Sequence, residues 1–311
     1  MRLPFLPRNR RKRRQIYAGT AIGACALALI GIIVVVLSGP GGYDPDDLER
    51  LKTERNCPGC NLTGASLWSE DFTGRDLSGA TLARANLWWT DLGGASLVGA
   101  NLSGANFWWS HLAGATLDGA KLEWTILGRA IAEGASFVGA DLTNVDFSGT
   151  TLVGANFTRA KLYRASLLQA LMSKSNLTEA SLVEAILHIA DARDANFTRA
   201  DLSHASITRA NMAGATLSGA TFTNANLSET SLVGATAIAA DFGKAELPNV
   251  DFTGADLSGS SFVDASAWAV NFTNANLTDV DFTRAGLPDA IFAGAILCRT
   301  KLPDGIDNSG C

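Results

Sequence analysis

Five cysteines, three histidines and seven tryptophans are the residues whose types and spacing bear on chemistry in this 311-residue chain. Cys57-Pro58-Gly59-Cys60 has the form of half a zinc site, but zinc takes about four ligands within bonding distance. The other cysteines that could complete it, Cys298 and Cys311, stand near the opposite terminus, and Cys25 lies in an apolar segment. A redox-active C-x-x-C is the sharper alternative, yet nothing nearby resembles the βαβ setting such motifs occupy. His111, His188 and His204 form no recognisable nucleophile–base pair, and no cofactor motif is found. The tryptophans are less evenly spread. Six of the seven lie between Trp68 and Trp124; Trp68, Trp88 and Trp108 are twenty residues apart, and so are Trp89 and Trp109.

What positions these residues is a repeat. From Leu62 to Leu302 a large apolar residue recurs at every fifth place without an insertion or deletion, giving 49 central positions. Of these 45 are Leu, Phe, Met or Ile, and four are Ala (Ala132, Ala192, Ala237, Ala267); two residues earlier, Ala occupies 34 of the 49 places. Between them stand mostly Asn, Asp, Ser or Thr, as in Ala100-Asn101-Leu102-Ser103-Gly104. Five matches neither the helical period of 3.6 nor the strand period of 2, so neither an amphipathic helix nor a simple alternating strand accounts for it. Self-similarity at a fixed period indicates a solenoid.

These A-(D/N)-L-x-x units resemble the pentapeptide-repeat family. The resemblance implies an all-β solenoid, a right-handed quadrilateral β-helix with five residues per side and twenty per coil. The central residue and the Ala before it would point inward. About twelve coils stacked ~4.8 Å apart would make a rod of ~58 Å. The spacing of the phenylalanines agrees with a twenty-residue coil. Phe222, Phe242, Phe262 and Phe282 would stack on one inner side, with Phe252, Phe272 and Phe292 on the opposite one. Each Ala-centred coil also holds a Phe, as close packing of an interior requires.

The N-terminal segments read differently. Residues 1–15 form a basic tail in which Arg8 to Arg14 is the cluster, and residues 16–37 are an uncharged apolar run long enough to span a bilayer as one transmembrane α-helix. Flanking Arg and Lys place the N-terminus in the cytoplasm and the repeat domain outside it. The run is long for the apolar region of a cleaved signal peptide and ends without an A-x-A site, so it reads as a single-pass anchor. Ile22-Gly23-Ala24-Cys25 fails as a lipobox because the longer apolar stretch follows Cys25, and the twin-arginine match at Arg13-Arg14 is degenerate. Residues 38–59 form a linker and a short helix to about Arg55. Asp44 is its N-cap, Pro45 its first residue, and Leu48 and Leu51 share one face suited to covering the first coil. Residues 60–302 are the repeats and residues 303–311 a C-terminal cap or tail.

On a rod of this kind the two cysteine pairs stand at opposite ends, so a shared metal site is excluded and no metal is expected. Outside the cytoplasm Cys57 with Cys60, and Cys298 with Cys311, read as disulfides. Trp68, Trp88, Trp89, Trp108, Trp109 and Trp124 occupy the two positions after the central residue, which face outward in the family's fold. Indoles of about 150–250 Å² each would expose several hundred Å² of apolar surface, at or above what a monomer normally shows. From residue 56 onward 25 acids face 15 bases, so nucleic acid is not an expected ligand. No repeat carries an inserted loop in which to build a catalytic site, and no enzyme is expected. The expected function is a membrane-anchored scaffold whose Trp face contacts a protein partner or the membrane interface; a homodimer is compatible with it. The alternative, implied by characterised relatives, is an acidic rod that mimics DNA and binds a type II topoisomerase. Against it stand the anchor and the Arg residues interspersed among the acids (Arg159, Arg164, Arg199, Arg209).

Overall fold

The computed structural model describes residues 42–311. The basic tail and the expected transmembrane helix over residues 16–37 lie outside the described residues. Among those described, no helix is long and apolar enough to cross a membrane.

Each five-residue unit makes one side of a four-sided coil. Parallel bridges join residues twenty apart, from Asn61–Thr81 through to Asp281–Lys301. The central residue's N–H donates to the next coil (Leu62 to the Thr81 carbonyl, 2.7 Å), as does that of the second residue after it (Gly64 to Ala83, 2.8 Å). The residue before the next centre donates back, Thr81 to the Cys60 carbonyl at 2.8 Å. Within each unit a β-turn closes the corner: the Ala65 N–H donates to the Leu62 carbonyl at 3.0 Å. The third residue of that turn is left-handed, Gly64 at φ 68° and Arg84 at φ 57°, which is the type II arrangement. Glycine adopts it freely, whereas a residue with a side chain does so against its preference.

The preference for Asn or Asp just before the central residue has a local cause. The carboxamide Oδ1 of Asn101 accepts the Ser103 N–H at 3.1 Å, and Asp251 does the same for Thr253 at 3.0 Å. Such Asx turns satisfy an amide at a corner where the coil-to-coil ladder pauses. The small inward residue is Ala because it sits at the corner of a narrow, fully buried interior. Where Thr replaces it, the hydroxyl donates to a backbone carbonyl, Thr90 to Leu67 at 3.1 Å and Thr125 to Leu102 at 2.9 Å, so no buried oxygen is stranded.

The phenylalanines stack at the twenty-residue spacing. Phe222 lies on Phe242 at 4.8 Å between centroids, Phe242 on Phe262 at 4.8 Å, and Phe252 on Phe272 at 5.4 Å. The two stacks meet edge to face across the interior, Phe252 against Phe262 at 5.9 Å and 85°.

The two ends of the solenoid are closed in different ways. At the first coil, α1 (Pro45–Thr53) lies over the open section, with Asp44 as its N-cap accepting the Asp46 N–H at 2.9 Å. Leu51 is buried, and Leu48 and Tyr43 pack beside it. This coil departs from the repeat where it meets the helix: Glu70 and Arg75 occupy places that Ala takes elsewhere, and an Arg75 guanidinium N–H donates to the Leu51 carbonyl at 2.5 Å. At the far end the chain leaves the coil as an antiparallel hairpin, β1 (Thr300–Leu302) with β2 (Gly305–Asp307). The hairpin starts inside the last repeat rather than after it, because Leu302 pairs back with Gly305 once no further coil can form over it. Leu287, Phe292, Leu297 and Leu302 are consequently only half-buried.

Candidate functional site

Counting sides from residue 61, the second side of the first three coils comprises residues 66–70, 86–90 and 106–110. Trp68, Trp88 and Trp108 stand on it at the first outward position after the inward Leu or Phe, and Trp89 and Trp109 at the second. Trp124 is on the first side, one coil further on, at the corner that adjoins this wall. The turn fixes the aim of each indole. Asn86 and Asn106 accept the N–H groups of Trp88 (3.2 Å) and Trp108 (3.0 Å), and Trp89 and Trp109 hold the left-handed corner conformation at φ 59°.

The indoles are exposed to different degrees. Trp68 and Trp124 stand furthest out, at 61% and 68% of their surface; Trp88, Trp108 and Trp109 are exposed to lesser extents, and Trp89 is half-buried. Trp88 and Trp108 stack face to face, 5.9 Å apart at 16°, and Trp89 meets Trp88 edge-on at 6.0 Å. Their faces are therefore turned toward one another along the rod, and their edges toward solvent. The Arg129 guanidinium lies over the Trp109 ring at 5.4 Å. Gly128 leaves room beside Trp108, where an added Cβ would come within 3.5 Å of the ring. Glu70 is the one charged residue in these three rungs.

The remaining residues singled out from the sequence fall into three groups. Cys57 and Cys60 are joined, with Cα atoms 5.4 Å apart, and so are Cys298 and Cys311, at 4.7 Å. Asp47 brings a carboxylate within 4.8 Å of the first pair, which makes a three-donor cluster. Its surroundings suit a structural clasp rather than a cation. An Arg50 guanidinium nitrogen is 2.7 Å from the Cys60 sulfur, and Asp47 accepts the Asn61 N–H at 2.7 Å and pairs with Arg50 at 3.4 Å.

His111 pairs with Asp91 one coil below, Nδ1 to Oδ1 at 2.9 Å. The hydrogen bond with His111 holds the Asp91 carboxyl below its ordinary value, against the opposing effect of burial. The spacing of twenty between the two residues is the signal that would have found this pair. The three histidines remain on separate columns, His188 bonding Thr208 instead.

The same spacing organises the charges. On the first side Arg164 pairs with Glu184 (2.6 Å), Arg284 with Asp264 (2.6 Å) and Lys301 with Asp281 (3.2 Å); on the fourth, Arg199 pairs with Glu179 and Arg299 with Asp279, both at 2.5 Å. The Trp rungs, with Glu70 as their one charge, carry none of these rung-to-rung ion pairs.

The family model for pentapeptide repeats matches this chain in eight copies that together run from residue 60 to residue 302. The chain belongs to the pentapeptide-repeat family. Members of this family fold as right-handed β-helices, which sets the hand of the coil described above. Among solved structures the chain is similar to HetL, a pentapeptide-repeat protein involved in heterocyst differentiation regulation in the cyanobacterium Nostoc sp. strain PCC 7120. The two are 27% identical over 85% of this chain and 98% of HetL, with a TM-score of 0.28. Rfr23 from Cyanothece 51142 is 31% identical over 42% of this chain and 92% of its own, with a TM-score of 0.27. QnrB1, a plasmid-mediated fluoroquinolone resistance protein, is 19% identical over 71% of this chain and 89% of its own, with a TM-score of 0.31. Scores this low add nothing to the family assignment. Among curated proteins nothing matches the chain.

Proposed function

We propose that this pentapeptide-repeat protein is a non-enzymatic interaction module, tethered to a membrane by residues 16–37, whose contact surface is the Trp wall of its first three coils. The observation that carries the reading is the block formed by Trp88, Trp89, Trp108 and Trp109. These large apolar side chains stand at outward positions, two of them at left-handed corners where Gly is the undemanding choice. Stability alone does not ask for indoles there, since the corresponding corner of the same side at Gly149 closes without a side chain. The topology follows the basic cluster and the apolar run, with the repeats outside the cytoplasm, where the two cysteine pairs would persist as disulfides.

The acidic-rod reading has less support. A mimic of duplex DNA needs an unbroken row of carboxylates, and Asp264, Asp279 and Asp281, each holding a base from the following coil, interrupt it.

Oxidative labelling of the indoles, in isolated native membranes and in the detergent-purified full chain, tests the contact surface. Trp68, Trp88 and Trp108 are expected to be protected in membranes and reactive in detergent. Equal labelling in both settings overturns the reading. Retention of the chain in membranes after alkaline extraction tests the tether, and release into the soluble fraction rejects it.

A further inference from the structure

We infer that the occupant of the Trp wall is the headgroup zone of the bilayer that holds the tether; this deepens the proposed function and rests on it. Three observations converge on a lipid surface.

The first is reach. The apolar run ends at Leu37 and the described residues begin at Gly42. Five residue steps extend at most ~18 Å. Gly42 is itself fixed to the first coil, its carbonyl accepting the Asn61 side-chain N–H at 2.9 Å, on the side that adjoins the wall. Trp68 is in that first coil, Trp88 and Trp89 in the second, Trp108 and Trp109 in the third, so the whole wall falls within ~10–15 Å of the first rung. A linker of that length is short enough for the wall to meet a headgroup zone that is ~5–7 Å deep on each side of the hydrocarbon.

The second is the presentation of the rings. A sugar or a proline-rich peptide stacks on an aromatic face, and the facing surfaces of Trp88 and Trp108 are occupied by each other. What this pair presents outward is the ring edge. An apolar body with a polar N–H at its rim is what settles at the membrane–water interface.

The third is charge. Three rungs with Glu70 as their only ionisable residue offer a protein partner one ion pair at most and present little to desolvate on entering an interface. Charges return to this side at Arg129 and Asp146, one and two coils beyond Trp109, so the neutral band is confined to the rungs that carry the indoles.

The experiment uses the full chain in phosphatidylcholine proteoliposomes. Trp268→Phe removes the distant seventh indole, so the six that remain all report on the first four coils. Replacing the lipid by phosphatidylcholine brominated on the upper acyl chain is expected to quench the indole emission by roughly half, as for rings resting at the interface. The quenching should persist in about 1 M NaCl, where the Debye length is about 3 Å. Unquenched emission overturns the inference. If the same indoles are nonetheless protected from oxidation in native membranes, the wall contacts a protein, and the proposed function stands without the lipid. A chain that does not sediment with the liposomes overturns the tether and this inference together.

Discussion

The proximal and distal ends of the solenoid face the same problem and meet it differently. A stack of coils presents an apolar cross-section at each end. At the proximal end the sequence leaves the repeat to cover it: α1 brings Leu51 over the opening, Arg75 replaces an inward Ala to bond the helix backbone, and Arg50 and Asp47 tie the helix to Cys60 and Asn61. At the distal end the five-residue register persists to Leu302, and the closing element is a hairpin of two three-residue strands with a bridged tail. Phe292 and Leu287 remain half-open beneath it, with Ile291 and Ile296 exposed alongside. The contrast teaches that an end is sealed by residues that break the motif, and that a motif kept to the last residue leaves its own core showing.

The largest effect that would sharpen this comparison is Phe252→Ala, inside the stack, which is expected to lower stability by about 3–5 kcal/mol in denaturant unfolding. Phe292→Ala, the same deletion at the open end, should lower it by less, roughly 2 kcal/mol, since part of its ring stays in water. Equal losses would mean that the distal coil is covered in solution. Leu51→Ala at the sealed end is expected to cost about 2–4 kcal/mol, and Leu302→Ala under the hairpin less than about 1 kcal/mol. A reversal of that order would make the hairpin the better lid.

Removing the distal bridge comes next. Cys311→Ser opens a loop of about fourteen residues, at most ~3 kcal/mol in the chain-entropy view, and Cys57→Ser opens one of four, at most ~2 kcal/mol. Amide exchange should accelerate in the last two coils with the first variant and near α1 with the second. Acceleration spread over the whole rod in either case would show that the ends are not independent.

The smallest expected effect is that of acid. Hydrogen bonds from Arg284 and Arg299 hold the Asp264 and Asp279 carboxyls below their ordinary value of 3.8. A folded pKa below the unfolded one contributes stability above the unfolded value and loses it as pH falls through the folded one. Amide exchange of the distal coils is therefore expected to rise below about pH 4, and Arg299→Gln should flatten that dependence. No change with this variant would assign the acid sensitivity elsewhere. Both carboxylates are exposed, so the effect is slight beside the core deletions.

Most of the architecture was legible because it is periodic. The fifth-residue Leu and Phe gave the inward positions, and Phe242, Phe262 and Phe282 against Phe252 and Phe272 gave the closure at twenty. What escaped was set by contacts between coils or by the ends. The pairing of His111 with Asp91, and of Arg284 with Asp264, needs the twenty-residue offset applied to polar residues as well as to phenylalanines. The half-burial of Trp89 next to the more exposed Trp88 depends on the ring geometry of a neighbour, which composition does not carry. Leu302 fits the motif yet sits in a hairpin, because burial at a given place depends on there being a further coil to provide it.

The twenty-residue coil also separates two kinds of length change. Inserting twenty residues adds one rung and leaves every distal side chain on its original side. Inserting five keeps the inward register intact, so the core still forms, but rotates everything beyond the insertion by a quarter turn. Arg164 would then no longer lie under Glu184 across that break, nor Trp88 under Trp108 if it fell between them. A single added motif thus acts on the surface as a frameshift that the interior does not register, and the unbroken run from Leu62 to Leu302 preserves the phase of the walls relative to one another.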